Sequence, residues 1–147
     1  MNLEVDTREY VAVLKNMVEQ GREVSMTVVG TSMEPFLFHN RDKIYFRKPE
    51  GTIKKGDLVF YRRESGAYVM HRVMKVKKEQ YYMAGDHQTF LEGPIKEKQI
   101  FAKIVSVERA GSWLTEEDKL WKFYAGWWRR LFWVRKAINK LKRIIGK

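Results

Sequence analysis

The sequence predicts a mainly β protein, a small antiparallel β-sandwich or partly closed barrel, with one helix before it and one after. Three observations predict this. Short runs rich in Val, Ile, Tyr and Phe recur between Glu23 and Glu108, separated by turn residues. Residues 7–20 and 119–147 repeat apolar side chains at spacings of three and four instead. Charge divides the same way: all 18 acids fall at or before Asp118, whereas residues 119–147 hold ten Lys or Arg and no acid. The net charge of +11 therefore belongs almost wholly to the C-terminal segment, and the preceding residues are nearly balanced.

In chain order, Asp6 or Thr7 is placed to cap a helix over 7–20, whose Tyr10, Val13, Leu14, Met17 and Val18 form a packing face before Gly21 closes it. From Glu23 the period becomes two, and a strand ending at Val29 delivers the chain to Ser32. Further strands are predicted at Lys43–Arg47, Asp57–Arg62, Ala67–Val76, Gln80–Ala84 and Gln99–Glu108. Pro49-Glu50-Gly51, Lys55-Gly56-Asp57, Glu64-Ser65-Gly66 and Glu92-Gly93-Pro94 read as the turns between them. Gly111-Ser112 is the expected joint between a β domain over 1–110 and a basic tail over 111–147.

Composition removes several classes of chemistry. The chain has no cysteine, so thiolate metal sites, disulfides and a cysteine nucleophile are excluded. Its three histidines, His39, His71 and His87, lack zinc-site spacing, and no metal or cofactor is expected. Acids at the N-terminus predict no export signal, and no apolar run reaches transmembrane length; the body is expected in the cytoplasm.

Chemistry is concentrated around Gly30-Thr31-Ser32-Met33-Glu34-Pro35, where a β-branched run ends in a glycine turn that presents one hydroxyl. A serine hydroxyl needs a base within hydrogen-bond reach, and the base needs an orienting partner. His71, within Tyr68-Val69-Met70-His71-Arg72-Val73, supplies an imidazole with an ordinary pKa near the working pH. Asp86, within Ala84-Gly85-Asp86-His87-Gln88, supplies a carboxylate at a strand end. His71 as a packed strand histidine and Asp86 as a turn residue are the competing readings. Glu34 and Arg72 read as structural or substrate-adjacent, His39 as a solvated turn residue, and His87 as a rival base.

These boxes, with Lys55-Gly56-Asp57-Leu58-Val59 between the first two, resemble the signal peptidase I family in kind and in order. That family consists of β-fold serine endopeptidases with a Ser-Met-x-Pro nucleophile box. Histidine before Arg-Val resembles its endoplasmic-reticulum and archaeal-like Ser-His type more than the lysine-dependent type, which includes self-cleaving repressors. The resemblance implies Ser32 as nucleophile, His71 as general base, and Asp86 or Glu92 as the orienting acid, with Asp86 favoured because a short side chain at a tight turn is held more rigidly. It implies a peptide or protein substrate, leader or signal-like, cleaved through an acyl-enzyme. Departures are the missing membrane-spanning anchor, Gly30 where many members carry a serine that helps hold the oxyanion, and Asn40-Arg41-Asp42 where Gly-Asp is usual. A noncatalytic peptide- or membrane-binding module with the same fold is the alternative.

The tail begins at Thr115-Glu116-Glu117-Asp118, which reads as a helix cap with acids in the first turn. Leu120, Tyr124, Trp127, Leu131, Val134, Ile138, Leu141 and Ile145 then form an apolar stripe among cations, widened by Trp121, Trp128, Phe132 and Trp133. An anionic membrane surface is the expected partner of residues 119–147, on the inner face of the membrane; packing against the β body is the other reading. Interleaving of charge with large apolar residues argues against nucleic acid.

Overall fold

The computed structural model describes residues 3–146; Met1, Asn2 and Lys147, which belong to the predicted N-terminal and tail segments, lie outside them. Helix α1 (Leu3–Glu19) leads into strands β1 (Val24–Thr27), β2 (Asp42–Arg47), β3 (Leu58–Arg62), β4 (Tyr68–Lys77), β5 (Gln80–Ala84) and β6 (Glu92–Lys96). A short 3₁₀ turn (Glu97–Gln99) precedes β7 (Ile100–Arg109) and β8 (Ser112–Thr115). The chain ends in α2 (Lys119–Phe123), a π-helical turn (Tyr124–Trp128) and α3 (Arg129–Ile145).

All eight strands join one antiparallel sheet in the order β1-β2-β7-β3-β4-β5-β6, with β8 paired to β7, and the sheet does not close into a barrel. The mainly β expectation holds, and its six strands are all present. Two strands were not predicted. Glu92-Gly93-Pro94 opens β6 at the far edge of the sheet, where a proline that cannot donate is tolerated. Ser112–Thr115 returns along the second half of β7, so Gly111 turns a hairpin instead of starting a linker.

The sheet buries both faces, which is why β3 reads as a continuous apolar run. On one side Leu58 and Phe60 join Val11, Leu14 and Val18 of α1 and Phe36 and Leu37 of the serine loop. On the other, Val59 and Tyr61 pack with Val73, Tyr81 and Met83. Helix α1 starts at Leu3, so Asp6 and Thr7 lie inside it and the predicted cap is corrected. At the other end, α2 begins after Asp118, and Thr115 closes a turn with it: the Thr115 N–H donates to Asp118 Oδ2 at 2.6 Å.

The C-terminal helices do not present the predicted stripe as one continuous surface. Among the described tail residues Trp121 and Phe132 are buried, and Tyr124 packs on Phe36 at a centroid separation of 5.0 Å. The π turn at Tyr124–Trp128 resets the helical phase, because it adds residues to one turn. Packing on the β body thus claims the first half of the tail, while Trp127, Leu131, Val134, Ile138, Leu141 and Ile145 stay exposed. No helix among the described residues is long and apolar enough to cross a membrane.

Candidate active site

Ser32 lies in a loop stitched at both ends. The Val28 N–H donates to the Asp42 carbonyl at 2.8 Å and the Asn40 N–H to the Val28 carbonyl at 2.9 Å, closing the base of the loop. The Asp42 carboxylate, fully buried, accepts from the Phe38 N–H at 2.7 Å and from Arg109 Nε at 2.8 Å. Burial pushes the Asp42 carboxyl up, but bonds from Arg109, Arg41 and the Phe38 N–H outweigh it and hold the pKa below the usual carboxylate value. Arg109 also donates to the Phe36 carbonyl. Within the loop the Gly30 N–H donates to His39 Nδ1 at 2.9 Å, so His39, expected to be merely solvated, fastens the residue two before the serine. Glu34–Pro35 is a cis peptide bond.

The far side of Ser32 is held by the turn after β5. The His87 N–H donates to the Ser32 carbonyl at 2.9 Å, and Gly85 lies so close that a Cβ there would overlap the Ser32 backbone. Glycine is required here for close approach, since any side chain would displace the serine. Strands β4 and β5 are registered Arg72 opposite Ala84, so one step further along the ladder sets Gly85 beside His71. The sheet register thereby brings Ser32 to the histidine across nearly forty residues of sequence. Ser32 and His71 line a common cavity of about 200 Å³, together with apolar groups that include Met26, Val28, Phe60 and Met70. Among the described residues neither the Ser32 hydroxyl nor its N–H has a hydrogen-bond partner.

His71 is buried. Burial pushes its imidazole down to about 4, partly opposed by the Glu92 carboxylate and assisted by the Arg63 guanidinium, so the ring is neutral at pH 7. Its Nδ1 lies 3.2 Å from the hydroxyl of Tyr61, a fully buried residue diagonally across the β3–β4 ladder. Burial, and next the Glu92 carboxylate, push the Tyr61 phenol up, so it keeps its proton. Glu92 is itself gripped by Arg63 at 2.6 Å.

Asp86 is placed differently from the sequence expectation. Both its oxygens are taken by Arg72, at 2.7 Å to Nε and 2.8 Å to Nη2, in a buried bidentate pair. Arg72 spends its remaining reach on the Gly56 carbonyl at 2.7 Å and lies over the Phe36 ring. No hydrogen bond joins Asp86 to His71 among the described residues. Asp86 is therefore corrected from orienting acid to the anchor of the turn that holds Ser32. A carboxylate with a rigid guanidinium fork at adjacent register satisfies it more completely than an imidazole could. The Asp86 carbonyl is held too, by Trp128 Nε1 and Arg135 Nη1, each at 2.9 Å. The exposed His87 side chain takes no hydrogen bond among the described residues, so only its backbone serves the site.

The structure thus sets Ser32 and His71 on the wall of one cavity, joins Asp86 to Arg72 and not to the imidazole, and adds Tyr61 beside His71 and Asp42 beneath the serine loop. Tyr61 stood in the sequence as one aromatic of a strand, and only the period-two alternation that turns it to the face of His71 marked it.

No metal cluster of His, Asp or Glu occurs among the described residues. The chain belongs to the Peptidase S24-like family, whose model matches residues 2–105 and so takes in both Ser32 and His71. No curated protein matches the chain. The family takes in serine peptidase-type proteins and self-cleaving repressors alike, so the match supports the sequence resemblance at the level of the family and not of the Ser-His subtype.

Proposed function

We propose that this protein is a serine endopeptidase in which Ser32 is the nucleophile and His71 the general base. The observation that carries the reading is the cavity that Ser32 and His71 both line, with Ser32 pressed against the Gly85 backbone. The reading requires the tautomer in which His71 Nδ1–H donates to the Tyr61 oxygen at 3.2 Å, which leaves the Nε2 lone pair free to take the serine proton. Tyr61 acts as the positioning residue that the triad logic calls for, in the place foreseen for Asp86, and the Glu92 carboxylate bears on it electrostatically. Glu92, the other acid named from the sequence, thus acts through Tyr61.

Attack on a peptide carbonyl forms an acyl-enzyme, with the amine leaving after it takes the proton from His71; water then hydrolyses the ester. The unpartnered Ser32 N–H is a donor for the oxyanion. β1 ends the sheet and pairs only with β2, and its Met26 lines the cavity, so an extended peptide can add along its free edge. A leader or signal-like segment is the substrate class proposed.

A fluorophosphonate-type serine probe tests this. Labelling of the wild-type chain is expected to vanish in Ser32→Ala, and to fall about 10²- to 10⁴-fold in His71→Ala, the range of a lost general base. Tyr61→Phe is expected to label more slowly with a displaced pH profile, which a loss of packing alone would not produce. Equal labelling of folded wild type, Ser32→Ala and His71→Ala overturns the hydrolase. It would leave the noncatalytic peptide-binding module, the reading favoured by the absence of a hydrogen bond on the Ser32 hydroxyl.

A further inference from the structure

The end of the π turn and helix α3 together carry two parallel lines of side chains with the same spacing. Trp128, Phe132, Arg135 and Asn139 face the protein: Phe132 is buried, Trp128 and Arg135 hold the Asp86 carbonyl, and Asn139 donates to Thr89 Oγ1 at 3.3 Å. One residue back along the chain runs the second line, Trp127, Leu131, Val134, Ile138, Leu141 and Ile145, exposed by 40–73%. An offset of one residue turns a helix by about 100°, so this line lies on the flank of α3, turned away from the packed side. Six large apolar side chains in one exposed row are far from the scattered surface leucines of an ordinary domain.

What borders the row selects its partner. Arg130 and Lys142 flank it, Lys136, Lys140 and Arg143 stand exposed on the same helix, and residues 119–147 contain no acid. A second copy of the chain would set this cationic segment against itself. A nucleic acid would take the cations and leave the apolar row in water. An anionic lipid surface satisfies both, with the row in the acyl boundary and the guanidinium and ammonium groups among the phosphates.

We propose that the row from Trp127 to Ile145, with Arg130 and Lys142, is a docking face for an anionic bilayer. The adjoining face of the same helical segment grips the Asp86 carbonyl, so the membrane contact is rigidly joined to the turn that holds Ser32. Docking does not depend on the peptidase reading, and Ser32→Ala is expected to dock as the wild type does.

Sedimentation of the full chain with phosphatidylcholine vesicles, with and without phosphatidylglycerol, is the test. Binding is expected only with phosphatidylglycerol, weakening as salt rises. Ile138→Glu with Leu141→Glu, both exposed and so harmless to the fold, is expected to lower the affinity at least about tenfold, the value of two apolar side chains left outside the acyl boundary. Arg130→Gln and Lys142→Gln are each expected to cost about fivefold. Failure of the wild type to sediment, equal binding to phosphatidylcholine alone, or unchanged binding by the double glutamate variant overturns the proposal. So does a dimer that dissolves in the double glutamate variant, which would assign the row to a second copy, or duplex DNA bound more tightly than the vesicles.

Discussion

Acidification should unfold this protein through one buried ring. Burial holds the His71 imidazole at about 4, whereas in the unfolded chain it titrates near 6.5. Between those values the unfolded state binds a proton that the folded state refuses, so protons favour unfolding: the stability is fully present above pH 6.5 and is lost progressively as pH falls toward 4. A gap of about two and a half pH units corresponds to about 3 kcal/mol, a large fraction of a stability of about 5–15 kcal/mol. The Asp57 carboxyl, pushed up by burial, adds its own pH dependence, so the ring must be isolated by comparison. His71→Leu is nearly isosteric and cannot titrate; it leaves the Tyr61 hydroxyl unpaired, but that cost does not change with pH. Urea unfolding of both proteins at pH 7.5 and pH 4 should show the wild type losing about 3 kcal/mol more than His71→Leu. Equal losses would mean that the ring is solvated or already paired with a charge, and the neutral buried base would have to be abandoned.

Three further outcomes follow from the same geometry. Asp86→Ala should cost about 3–5 kcal/mol, because it strands the Arg72 guanidinium in the core, and a denaturant midpoint that barely moves would show that pair to be solvated. Gly85→Ala should cost about 1–3 kcal/mol of strain; it should also abolish serine-probe labelling by displacing the Ser32 backbone, and labelling at the wild-type rate would contradict the close approach. Phe132→Ala should destabilise by about 3–5 kcal/mol. Its neighbour Trp133→Ala should stay within about 0.5 kcal/mol, so that calorimetry distinguishes the packed face of α3 from its open side.

Much of this protein is legible in one dimension because it rests on local rules. Alternating Val, Ile, Tyr and Phe between turns specify six of the eight strands, a three-and-four repeat specifies α1, and an acid-free run of cations specifies a tail unlike the rest. The serine box and the histidine strand also stand in the sequence, since a hydroxyl on a glycine turn and an imidazole among apolar residues are identities, not contacts. β6 and β8 escaped because proline, glycine and serine signal turns locally, while the neighbouring strands β5 and β7 offer them a ladder.

The partners of each side chain were decided only by the fold. Arg72 follows His71 directly, and the pleat sends the two to opposite faces; the guanidinium therefore meets Asp86 and the imidazole meets Tyr61. Which side of α3 packs and which stays open depends on the π turn before it, whose extra residue rotates everything after it. Sequence periodicity records that a residue recurs on a face, but the choice of what that face meets is made by strand register and helix phase, and both are properties of the assembled chain.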